Sequence, residues 1–265
     1  MTTAQTSLAS TPRRPIQPFR ALRAFRRLVA DKEDTRQIFE ILSALAGRSM
    51  DKGYARLLNT AEGRRQADLR VELSDQLQDG AWLESLPPGS VGALYRVFIR
   101  PRRLSAYGLA DESRGVRDAD FDAPHEVAWY ARRLRDVHDI WHVLTGYGTD
   151  ALGEACVVAF SCSHVRSPGL ALIALGAALE FRRLGIRQPY ARAIGQAWRI
   201  GRRTAWLAPV DYEALLAEPI HAARRRLNIA PPSVYDAIPV DGRNGYRYAA
   251  DTATTRRIEI VGGLA

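Results

Sequence analysis

The stretch His138-Asp139-Ile140-Trp141-His142, followed by Gly146-Tyr147-Gly148 and then by Glu154, constrains this chain more than any other part of it. A spacing of four puts both imidazoles on one face of a helix. That face is the apolar one, shared with Val127, Ala131, Leu134 and Trp141, and Asp139 flanks it. Unpaired polar groups on a core face cost on the order of 1–3 kcal/mol each, so partners are required. The turn at 146–148 is short enough to make two helices antiparallel neighbours. At ~1.5 Å of rise per residue, His142 and Glu154 then stand at similar heights on the two arms. The stretch predicts a helix hairpin that gathers His138, Asp139, His142 and Glu154.

Two histidines at i, i+4 with carboxylates from the same and the next helix can converge on one divalent cation, by the logic of zinc-binding H-E-x-x-H helices. Zinc, manganese and ferrous iron all suit such donors, and iron with open positions would suit oxygen chemistry. The alternative is a pair of core histidines hydrogen-bonded to Asp139 and Glu154. Two carboxylates within reach favour the metal. His125 lies in the first turn of its helix, and His164 and His221 lack nearby acids, so these three are expected to be structural or solvated. Glu180 is expected to end a core helix rather than serve a pocket. Cys156 and Cys162 read as small core residues, since nothing in sequence marks a low thiol pKa.

Beyond the hairpin, the periodicity predicts an all-α fold. Phe19, Leu22, Phe25, Leu28 and Val29 recur at helical spacing with Arg20, Arg23, Arg26 and Arg27 between them, the pattern of a basic amphipathic helix suited to a membrane surface or to plain solvent. Asp34 or Thr35 caps a helix stopped by Gly47, and Ser90 caps another after a Pro-Pro-Gly turn. The hairpin's first helix is expected to open at Asp122 and Pro124 and to run unbroken to Gly146. Thr149 or Asp150 caps the second, to about His164. Further helices are expected over 168–184, 190–206 and 212–227, the last with Arg224, Arg225 and Arg226 complementing its dipole. One domain is expected over 15–228, with a disordered lead at 1–14 and an irregular, extended tail at 229–265 carrying one short strand at its end.

A net charge of +9 raises the question of nucleic acid. No zinc-finger, RNP or basic-zipper pattern accompanies the charge. Moreover, 36 of the 38 basic residues are Arg, which points to a GC-rich bacterial coding bias. Nucleic acid is therefore not expected as a partner. No glycine-rich phosphate loop follows a strand, so dinucleotide and ATP sites are unsupported. Cysteines six apart on a helix cannot pair, which indicates a reducing compartment. The best apolar run, 168–181, is too short to span a bilayer. The Arg-rich, acid-free N-terminus also has the character of a mitochondrial transit peptide.

The run HDIWHVLTGYGTDALGE fits H-D-x-x-H, eleven residues, then E, and resembles the motif of the coenzyme Q (ubiquinone) biosynthesis protein four family. Residues 83–99, 121–139 and 190–229 also resemble that family's helices, so the likeness covers about 20–229. It implies an all-helical protein, peripheral on the bacterial inner membrane or on the matrix side of the mitochondrial one. The implied ligands are His138, Asp139, His142 and Glu154, usually for zinc, with iron or manganese as other candidates. The implied activity is oxidative decarboxylation, replacing the ring C1 carboxyl of a polyprenylated hydroxybenzoate-type precursor by hydroxyl. The alternative is a lipid-binding scaffold for the quinone-synthesis complex. Partners would be the polyprenylated quinone precursor, other ubiquinone-biosynthesis enzymes and the membrane surface, with homo-oligomerisation left open.

Overall fold

Helix signals in the sequence become helices in the computed structural model, which describes residues 15–31, 34, 36–100, 125–183 and 189–244. The expected lead at 1–14, the opening at Asp122 and Pro124, the cap at Thr35 and the strand near the C-terminus lie outside these residues. In chain order the helices are α1 (Pro18–Ala30), α2 (Arg36–Leu45), α3 (Ser49–Leu58), α4 (Ala61–Leu69), α5 (Leu73–Gln78), α6 (Gly80–Ser85) and α7 (Val91–Ile99). They continue as α8 (Glu126–Asp136), α9 (His138–Thr145), α10 (Ala151–Val165), α11 (Pro168–Arg183), α12 (Tyr190–Arg203), α13 (Tyr212–Ala217), α14 (Ile220–Arg226) and α15 (Ser233–Asp236). The fold is all-α, with no strand among the described residues.

Side-chain caps set the starts. Ser90 accepts from the Ala93 N–H at 3.1 Å and opens α7, and Asp150 accepts from the Gly153 N–H at 2.9 Å and opens α10. Each satisfies a backbone donor that the first turn leaves free. His125 caps α8 in the same way, its Nδ1 accepting from the Ala128 N–H at 3.1 Å.

Two expected helices are divided. The helix expected to run to Gly146 is interrupted at Val137, where α8 ends and α9 begins. The helix expected over 212–227 breaks at Pro219, which has no N–H, with Glu218 before it extended at ψ 139°. The extended segment pairs instead with the loop before α7: the Val91 N–H donates to the Glu218 carbonyl at 2.9 Å and the Ile220 N–H to the Gly89 carbonyl at 3.1 Å.

α10 is the central helix, and α9, α11 and α12 all pack on it. Leu152, Cys156, Val157 and Phe160 are fully buried on one side of it, and Glu154 stands half-exposed on another. α12 crosses it at Gly201, where a Cβ would lie 2.3 Å from the Phe160 carbonyl oxygen, so only glycine permits this separation. α1 and α2 pack on each other, and Ala24, Ile41 and Ile173 join them to α11 in a smaller core. The first part of the tail returns to the bundle: Tyr235 and Ile238 are buried in the main core. Among the described residues, no helix is long and apolar enough to cross a membrane.

Candidate metal centre

The hairpin α9–α10 is closed by Gly146, whose left-handed φ of +86° lets its N–H donate to the His142 carbonyl at 2.8 Å. The last turn of α9 is also capped from outside. Arg224 of α14 donates from Nε to the Leu144 carbonyl at 2.8 Å and from a terminal nitrogen to the Val143 carbonyl at 3.2 Å. This arginine, expected only to complement its own helix's dipole, acts on another helix. The fold juxtaposes them, and local sequence carries no signal for it.

Across the hairpin three donor atoms meet. His138 Nε2 and His142 Nε2 are 3.2 Å apart, and Glu154 Oε2 lies 3.4 Å from the first and 3.3 Å from the second. Asp139 does not join them. One residue on from His138 its side chain leaves the helix about 100° away, and its charge acts on Tyr95 as well as on His138.

The hydrogen bonding of His142 decides what this triangle can do. Its Nδ1 lies 3.1 Å from the Tyr147 carbonyl oxygen, which can only accept, so Nδ1 carries the proton. In the neutral ring Nε2 is then a bare lone pair facing the Glu154 carboxylate. Such convergence of electron-rich atoms calls for a positive charge between them, either a proton or a metal ion. Zinc bonds of ~2.0–2.1 Å at the tetrahedral angle would hold donors about 3.3–3.4 Å apart. The triangle's edges match that spacing, so His138, His142 and Glu154 could hold a divalent cation.

Electrostatics agree with the pairing. Burial pushes the Glu154 carboxyl up, but hydrogen bonds to His138 and His142 and their charge outweigh it and hold it well below the usual carboxylate range. Burial pulls the His138 imidazolium down, and the Glu154 hydrogen bond and charge, with Asp139, overcome this and raise it. The centre is closed on one side and open on the other: the His142 side chain is 0% exposed and that of Glu154 44%. The Phe98 ring of α7 lies 5.3 Å from the His142 ring and tilted to it. On the same helix, Tyr95 borders a cleft of about 580 Å³ with Leu77, Leu83, Val97, Ile99 and Arg100.

The remaining sequence candidates fall elsewhere. His164 is buried against Trp141 and Phe160, and burial, with Arg56 nearby, pushes its imidazolium down to about 3. His221 is exposed, and Glu180 is half-buried near the end of α11. Cys156 and Cys162 are free, and burial raises both thiols, Cys162 to about 11, as expected of core residues.

Fold and centre together define an all-helical protein whose central hairpin presents two histidines and one glutamate to a common point. The family model for Coenzyme Q (ubiquinone) biosynthesis protein Coq4 matches residues 21–233. The chain belongs to that family. It is 31% identical over 171 residues to the protein named ubiquinone biosynthesis protein COQ4 homolog, mitochondrial, of Rattus norvegicus, covering 64% of this chain and 62% of that one. The likewise named Homo sapiens protein is 31% identical over 177 residues, covering 66% and 63%. The chain thus spans less than two thirds of the length of these relatives. A crystal structure from Nostoc punctiforme, described as a ubiquinone biosynthesis protein, shares the fold with a TM-score of 0.57 at 18% identity, covering 81% of this chain and 99% of that one.

Proposed function

We propose that this chain acts in ubiquinone biosynthesis as a metal-dependent enzyme that replaces the ring C1 carboxyl of a polyprenylated hydroxybenzoate-type precursor by hydroxyl at a membrane surface. Family membership supports the pathway. The observation that carries the catalytic reading is that, among the described residues, three protein donors converge rather than four, on a side where Glu154 is open to solvent. Structural zinc sites are closed by four protein ligands, whereas catalytic ones keep a position free. Zinc is the ion we assign, and iron or manganese would accept the same donors.

A divalent cation at this point would supply Lewis acidity toward a substrate carboxylate or phenolate. The chain's own residues do the rest. The Tyr147 carbonyl holds His142 with Nε2 free to donate its lone pair, and Phe98 shields that ring from water. The cleft lined by Leu77, Leu83, Tyr95, Val97 and Ile99 offers apolar walls to a prenyl chain, within the ~300–1,000 Å³ usual for ligand sites. Exchanging carboxyl for hydroxyl is a two-electron oxidation of the ring, which balances when carbon dioxide leaves, water supplies the hydroxyl oxygen and molecular oxygen, the oxidant we name, takes up the two electrons and two protons as hydrogen peroxide.

Exposed Phe19 and Leu22 with Arg23, Arg26 and Arg27 on α1, and exposed Leu175 and Leu179 on α11, support docking to an anionic membrane surface. Other ubiquinone-biosynthesis enzymes are the proposed protein partners. The test is anaerobic incubation of metal-loaded protein with a prenylated hydroxybenzoate, followed by oxygen. The expected result is the hydroxylated, decarboxylated product. Its absence with zinc, iron and manganese alike would leave a lipid-binding scaffold for those enzymes instead.

A further inference from the structure

We infer that Tyr235, which lies past the family-matched span, is a positioning residue for the metal centre, because its hydroxyl fixes both the turn that orients His142 and the cap of the helix that carries Glu154. The inference rests on the metal-binding reading above. Tyr235 is 1% exposed, and its hydroxyl has two partners on the hairpin. It donates to Asp150 Oδ2 in a short hydrogen bond and accepts from the Gly148 N–H at 2.9 Å.

Each partner leads to a different ligand. Gly148 follows Tyr147, whose carbonyl accepts a hydrogen bond from His142 Nδ1–H at 3.1 Å and so selects the ring form with Nε2 bare. The other oxygen of Asp150 accepts from the Gly153 N–H at 2.9 Å, in the first turn of α10, one residue before Glu154. One phenol thus spans the loop between the two arms. Gly148 makes this possible: a Cβ there would lie 2.7 Å from both the Tyr235 hydroxyl and Asp150 Oδ2. Burial and the neighbouring Asp150 carboxylate raise the phenol's pKa and keep it protonated as a donor. The ring packs edge-on to Tyr147 at 5.2 Å, a contact that does not need the hydroxyl, while the Arg243 guanidinium lies over it at 4.2 Å and also interacts with the hydroxyl.

The test is Tyr235→Phe in the full chain, read by two measurements. Nitrogen-15 imidazole spectra of metal-free protein should show His142 protonated wholly at Nδ1 in the wild type and mixed between Nδ1 and Nε2 in the variant. Cobalt(II) titration should give an affinity about tenfold lower in the variant, at the low end of what outer partners of a metal site contribute. Asp150→Asn, which keeps a good helix cap, should weaken cobalt binding similarly, and the double variant should be no worse than the more impaired single one. A variant that only unfolds at lower temperature, with unchanged His142 protonation and cobalt affinity within twofold of wild type, would overturn the inference. If the wild type binds no cobalt, the metal reading fails, while the imidazole spectra still decide whether Tyr235 sets the ring of His142.

Discussion

His142 Nε2 and Glu154 Oε2, on opposite arms of the α9–α10 hairpin, stand 3.3 Å apart, with the imidazole wholly buried and the carboxylate half open to solvent. The contact crosses the turn at 146–150, so any change in that turn moves one ligand against the other.

Asp139 and His142 are separated by this geometry, although both belong to the H-D-x-x-H motif. Replacing His142 by Ala should lower the affinity for zinc by at least about a hundredfold, with helical circular dichroism preserved. Asp139→Asn should leave one zinc per chain, with affinity within about tenfold of wild type, the scale of a partner outside the ligand set. Competitive titration against a chelating dye measures both. Loss of zinc in Asp139→Asn equal to that in His142→Ala would mean that four protein ligands close the site.

The raised pKa of His138 gives stability a sign that depends on the metal. In metal-free protein its charged pair with Glu154 stabilises the fold fully below the ordinary histidine value of ~6.5 and fades as pH rises through the raised value. A bound cation needs the neutral ring, so metal affinity should climb in the same window by up to about tenfold per pH unit. Raising pH through this window should lower the unfolding temperature with chelator present and raise it with excess zinc. Scanning calorimetry in paired buffers is the check.

Gly201 and Phe160 set the distance between α12 and α10. Gly201→Ala places a methyl against a backbone carbonyl that cannot swing aside, and should destabilise the protein by roughly 1–3 kcal/mol. Urea unfolding measures this, and a neutral result would show that the two helices can part without loss.

The apolar-basic face of α1 is tested with vesicles. Phe19→Asp together with Leu22→Asp should reduce sedimentation with anionic liposomes at least about tenfold, given roughly 1.5–3 kcal/mol for each buried side chain of this size. Binding unchanged by the pair would place membrane contact elsewhere.

Much of this arrangement was legible in the sequence because its determinants are local. Four-residue spacing placed His138 and His142 together, a short glycine turn forced the hairpin, Ser90 announced its cap, and the cap of α10 was narrowed to Thr149 or Asp150, of which the structure uses Asp150. Asp139 was expected among the ligands and stands apart from them, because the rotation that aligns the two histidines carries their neighbour about 100° off that face. The break at Pro219 carried an ordinary signal that helical periodicity masked. α3 to α6 are short, each only one to three turns, and their apolar faces are too brief to stand out. Arg224 and Tyr235 were not legible: both act on the hairpin from 80 or more residues away, through contacts that exist only once the chain has folded.

The most direct measurement is anomalous X-ray diffraction at the zinc edge from crystals of the zinc-loaded chain. The account predicts one peak per chain within bonding distance of His138 Nε2, His142 Nε2 and Glu154 Oε2, with the fourth position taken by a non-protein ligand. Stoichiometric zinc with its peak elsewhere, or with Asp139 completing a closed set of four, would contradict it.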